Sequence, residues 1–190
     1  MRLLQHKLFL FFILSFFLWL IPFCIRIFMV EVPEIQVENS AIKENTVVTK
    51  IIKSLDRGDN RSAFLLIFTN NLKGCLLNIF GGVMLGLGTV INLLYNGFFS
   101  ADMFKSSYDA GLSLSKILNV TLPHSFELIG FWLSGAIGLY IAWNVILFIR
   151  GKENFTALFY KTVGISVAVI FFIILGAAYV EAYISTSNYL

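Results

Sequence analysis

The sequence predicts an all-α protein: a polytopic transmembrane helical bundle, with five spans preferred over four and a small polar segment after the first span. Two observations carry that prediction. Hydrophobic residues make up 58% of the 190-residue chain, and 20 of them are Phe; a soluble domain of this size has no interior large enough to hide so much apolar surface. The apolar residues also come in runs about as long as a membrane helix, separated by short polar breaks. The net charge of +3 is spread along the chain and forms no basic stripe, so nucleic acid is not an expected partner.

The first span is read over residues 8–30. Arg2 and Lys7 precede it, as in a secretory signal, but the apolar stretch is too long for one and no small-x-small cleavage site follows. Residues 1–30 are therefore expected to remain as a membrane anchor, with Arg26 snorkelling to the far interface. Cys24 and Cys75 lie far apart in apolar runs, which suits buried, inert thiols better than a disulfide.

Residues 31–61 are the strongly polar, nearly neutral block, expected outside the cytoplasm. Within it, Val32–Val37 alternates like an extended piece, 46–55 has helical apolar spacing, and Asp56-Arg57-Gly58-Asp59-Asn60 reads as a turn. A block this short cannot build its own core. It should pack on the membrane domain, residues 62–190, or on a partner.

Residues 62–100 are apolar but too long for one span at about 1.5 Å per residue. Either two spans meet near Gly81-Gly82, or an amphipathic helix over 62–72 leads into one span. Residues 101–122 read as a loop or surface helix, 125–149 as a span, 150–154 as a short loop and 160–184 as the last span. Trp19, Trp132 and Trp143 are expected at interfaces or facing lipid. Basic residues near Arg2 and Arg150 favour the cytoplasm at both places. That requires two spans between 62 and 98, and hence five spans in the cell membrane with a cytoplasmic N-terminus.

Ionisable groups at membrane depth are costly and usually mark a working site. His124 and Glu127 stand three residues apart where a span begins, so a helix started at Pro123 puts them on one face. Tracing the spans brings Asn96 and Glu181 to the same membrane face. His124, Glu127 and Glu181 could bind one metal ion, such as zinc, with an open position for water, and so hydrolyse or transfer a peptide bond. His124 and Glu127 could instead act as a metal-free acid/base pair, or the group could be polar ties between helices. Asn70 and Asn71 complete a polar cluster with Asn96 and carry the same alternatives.

Several pieces in order resemble the stage II sporulation protein M family: Phe68-Thr69-Asn70-Asn71, Gly81-Gly82, Gly86-Leu87-Gly88-Thr89, Asn96-Gly97, Leu122-Pro123-His124-Ser125-Phe126-Glu127-Leu128 and Glu181-Ala182-Tyr183. The resemblance covers about residues 62–185. It implies either a scaffold that joins peptidoglycan hydrolases to the membrane during engulfment, or a component of circular-bacteriocin maturation, secretion or self-protection. Family motifs commonly carry Gly where this chain has Ser125, which points to the bacteriocin branch. On that reading the protein works with a hydrophobic peptide and an ATP-binding cassette (ABC) transporter. The chain has no Gly-x-x-x-x-Gly-Lys-Ser/Thr loop, so the ATPase would be another polypeptide.

Overall fold

A computed structural model describes residues 2–29, 47–109, 111, 113–115 and 125–185. They form α1 (Arg2–Met29), α2 (Val47–Asp56), α3 (Asn60–Val83), α4 (Leu87–Asp109), α5 (Ser125–Ile149) and α6 (Ala157–Tyr179), the last continued by a π-helical turn, Val180–Ser185. There are no strands among these residues. Among the described residues, four helical stretches, 6–28, 60–83, 126–149 and 157–184, are long and apolar enough to cross a membrane. The fifth long helix, α4, is as long as α6 but less apolar, because Asn92, Asn96, Ser100 and Asp102 interrupt it. It forms a hairpin with α3, so the 62–100 segment is two helices and not an amphipathic lead-in to one.

Local signals explain where the helices stop. The end of α2 folds back through Gly58 at φ +70°, whose N–H donates to the Leu55 carbonyl at 2.9 Å. Asp59 then caps α3 by accepting the Ser62 N–H at 3.1 Å. The Ser62 side chain, and then this backbone N–H, hold the Asp59 carboxyl below the usual carboxylate range. The break between α3 and α4 falls at Met84–Gly86. Leu85 and Gly86 take positive φ, and the Gly86 N–H reaches back to the Gly81 carbonyl at 3.2 Å. Thr156 caps α6 through the Phe159 N–H at 3.2 Å.

Helix α5 is the centre, packed against α1, α3, α4 and α6. It runs antiparallel to α1, since Trp19 meets Trp132 and Phe11 meets Tyr140 at centroid distances of 5.5 and 6.4 Å. It runs parallel to α3, since Asn78 reaches Ser134 while Gly82 meets Gly138. A Cβ on Gly82 would overlap the Gly138 carbonyl, so these two backbones touch only because both side chains are missing. One end of the bundle therefore holds the start of α1, the α3–α4 turn and the α5–α6 loop. The other holds the end of α1, α2, the starts of α3 and α5, and the ends of α4 and α6.

Residues 101–109, expected as a loop or surface helix, are helical and continue α4, with Ala101 fully buried. Two expectations need correction. Trp19 is not an interfacial anchor: it is only 6% exposed and stacks on Phe23. Trp143, by contrast, is exposed as expected. Arg26 does not simply snorkel, because its Nε donates to Asp102 Oδ1 and ties the end of α1 to α4. The 46–55 spacing is realised as α2, whose Ile51 and Leu55 pack on Ala63 and Ile67 of α3. The extended piece at Val32–Val37 lies outside the described residues.

Candidate functional site: a polar cavity at one end of the bundle

At the end where α3 and α5 begin, the helices part around a cavity of about 80 Å³. Asn70 and Asn71 reach it from α3, Asn96 from α4 and Glu127 from the first turn of α5; Gly74, Cys75, Phe131 and Ile174 close it. A water takes about 30 Å³ of liquid, so the space suits two or three waters or the head of one side chain. Glu127 Oε1 is shielded from solvent. Cys75 is 1% exposed and Cys24 is half-buried; both are free thiols.

A ladder of amides runs inward from the cavity. Asn96 Nδ2 donates to the Asn92 carbonyl at 2.8 Å and to Asn92 Oδ1 at 3.0 Å. Asn92 Nδ2 donates to the Gly74 carbonyl at 3.0 Å and to Asn78 Oδ1 at 2.8 Å. Asn78 Nδ2 donates to Ser134 Oγ at 2.9 Å and to the Phe131 carbonyl at 3.3 Å. The Ser134 hydroxyl ends the ladder on the same Phe131 carbonyl at 2.7 Å, and the Thr89 hydroxyl donates to the Asn78 carbonyl at 2.6 Å. Asn78, Thr89 and Ser134 are fully buried. Unmet polar groups in hydrocarbon cost several kcal/mol each, so satisfying them fixes which faces of α3, α4 and α5 meet.

The structure thus brings together four of the six residues singled out from the sequence: Asn70, Asn71, Asn96 and Glu127. Glu181 does not line the cavity. It lies in the π-helical turn, seven residues beyond Ile174 and so about 10 Å further along the helix, with Oε2 shielded from solvent. His124, the third expected metal ligand, falls outside the described residues. Among the described residues, no three His, Cys, Asp or Glu side chains group closely enough to hold a metal ion. Asn78, Asn92, Thr89 and Ser134 were not read as site residues. For Asn92 a signal is present in the four-residue spacing of Asn92, Asn96 and Ser100, which puts all three on one face of α4.

A helical membrane bundle with an amide ladder under a carboxylate-bearing cavity defines the class: a polytopic membrane protein with a polar site at one end. The family model of stage II sporulation protein M matches residues 8–186, and the chain belongs to that family. An uncharacterized protein of Methanocaldococcus jannaschii is 35% identical over 92 residues, covering 48% of this chain and 52% of that protein. The chain therefore spans about half the length of the relative it matches. No solved structure matches the chain.

Proposed function

We propose that this chain is the membrane-embedded, non-ATPase component of a peptide-bacteriocin maturation, secretion or self-protection system, acting with a separate ABC transporter. In this reading the cavity receives one polar group of the hydrophobic peptide or of a partner helix. The observation that carries it is the cavity itself: three amides and a carboxylate gathered in an otherwise apolar bundle, with room for a side-chain head. A few polar groups converging in an otherwise apolar site suit the recognition of a polar group. The space beneath is filled by the amide ladder and the Gly82–Gly138 contact, which suits a receiving site better than a continuous pore.

In this reading the protein sits in the cell membrane with the cavity outside and the N-terminus in the cytoplasm. Arg2, Lys7, Arg150, Lys152 and Lys161 belong to one end of the bundle, against the single acidic Glu153. Short segments rich in Lys and Arg stay cytoplasmic.

A photo-crosslinking residue at Asn71, in cells carrying the native gene neighbourhood, tests the reading. Adducts with a membrane peptide or a transporter subunit are expected. Adducts with an envelope hydrolase alone would replace it with the scaffold reading. The enzyme reading, an intramembrane peptidase or cyclase built on His124, Glu127 and Glu181, falls if His124→Ala and Glu127→Gln proteins insert stably and still support wild-type precursor processing.

A further inference from the structure

We propose that a second, apolar cavity holds one acyl chain of an anionic membrane phospholipid, with the phosphate of that lipid at Lys161. Helix α5 forms the floor through Ala136 and Ile137. Leu8 and Phe12 of α1 supply one wall, and Ile165 and Val169 of α6 the other. Both walls pack on α5. The space is about 140 Å³, and its lining is hydrocarbon except at Ser166. Ala136 and Ile137 are buried, whereas Ile165 and Val169 are 56% and 46% exposed. The cavity is therefore a groove, closed below and open along the outer surface of the bundle.

Size and chemistry select what fills it. An apolar cavity of about 150 Å³ stays dry and takes up a hydrocarbon the size of benzene, so water is not the occupant. A helix with its side chains is about 10 Å across and cannot enter. A few methylenes of a flexible chain can, and acyl chains are what surrounds a membrane-spanning helix. Leaving the groove empty would forfeit dispersion contacts along three helices.

Depth and charge select the lipid. Ile137 is the middle residue of α5 (Ser125–Ile149), which puts the floor near mid-membrane. From there α6 runs back to Lys161, one turn before Ile165 and on the same face. Lys161 thus stands about 6–14 Å nearer the interface than the groove lining on α6, where a phosphate sits above its own chain. Lys7, next to Leu8, brings a second cation to the same end, and both lysines are exposed. Among the described residues, Glu153 is the only acidic residue at that end. Basic sites between membrane helices take anionic headgroups. The assignment holds whichever side of the membrane this end occupies, so it stands apart from the reading of the polar cavity.

The test reconstitutes the full chain in nanodiscs of equal phosphatidylglycerol and phosphatidylcholine, transfers it to detergent and weighs it by native mass spectrometry. One phosphatidylglycerol per chain should be retained, enriched at least about fivefold over phosphatidylcholine, the factor that one cation near a membrane surface contributes. Lys161→Gln, a surface change that leaves the packing untouched, should lose most of that preference while a lipid is still retained. Ser166→Phe, which puts a ring into the groove, should abolish retention of either lipid. No retained lipid in the wild type, equal retention of the two lipids, undiminished preference in Lys161→Gln or wild-type retention in Ser166→Phe overturns the proposal. So does a dimer or a bound peptide in place of the lipid.

Discussion

Asn92 on α4 donates to Asn78 on α3 at 2.8 Å, and Asn78 passes the interaction to Ser134 on α5 at 2.9 Å. Three helices are therefore locked at one depth by two side chains that apolar packing alone would not distinguish. The same contact orients every amide between the middle of the bundle and the cavity.

Asn78→Leu removes a fully buried hub that makes three side-chain hydrogen bonds. Interhelical bonds in membranes average about 0.6 kcal/mol each, so a loss of about 2 kcal/mol is expected. Asn144, whose amide bonds Tyr140 of its own helix, is the control, and Asn144→Leu should cost well under half as much. Denaturant titration of both proteins in detergent measures the difference. Equal costs would refute the hub.

Gly82 and Gly164 should respond oppositely to the same substitution. Gly82→Ala forces a methyl into the Gly138 carbonyl and should destabilise by about 1–3 kcal/mol. A Cβ on Gly164 meets nothing within 4 Å, so Gly164→Ala should be neutral or mildly stabilising. Thermal unfolding of the two variants checks the pair.

The Arg26–Asp102 pair ties α1 to α4 at the cavity end, with side-chain exposures of 14% and 46%. Arg26→Gln and Asp102→Asn should each cost about 1 kcal/mol, the exposed acid limiting the gain from pairing. The exchanged protein, Arg26→Asp with Asp102→Arg, should recover part of that loss. A double-mutant cycle showing no coupling would count against the pair.

Asp59 gives the start of α3 a pH dependence of definite sign. Its folded pKa lies below the ordinary carboxylate value, chiefly through its hydrogen bonds with Ser62. The cap is thus complete at neutral pH and is lost as pH falls through the folded pKa, below 3.8. Amide exchange at Ser62 should accelerate across that range in the wild type, and Asp59→Asn should flatten the profile.

Topology is open to direct labelling. In a cysteine-free background, Asp59→Cys should react with a membrane-impermeant maleimide in intact cells, while Lys152→Cys should react only after lysis. The reverse pattern would invert the proposed orientation and move the cavity to the cytoplasmic side.

Much of this fold is legible in the chain because the bilayer sets a length. Residues 125–149 were read as a span and are α5, residue for residue, since a polar break bounds the apolar run at each end. The 62–100 segment was ambiguous, because glycines serve equally well as a helix break or a packing face. Gly81-Gly82 does the second, and the break comes two residues later, at Met84–Gly86. At 101–109 the polar residues leave loop and surface helix equally open until Ser100 and Asp102 are seen to bond Asn96 and Arg26.

The sequence alone determined the class, the extent of α5 and the end at which Asn96, Glu127 and Glu181 gather. Each depends on local composition or on counting passes through a layer of known thickness. Only the tertiary structure decided that Asn70, Asn71, Asn96 and Glu127 share a cavity while Glu181 stands beyond it. It alone decided that Asn78 and Asn92 carry the ladder beneath. Those outcomes depend on helix rotation, and rotation is set by which glycines let backbones touch and which amides find carbonyls, neither of which is visible in one helix by itself.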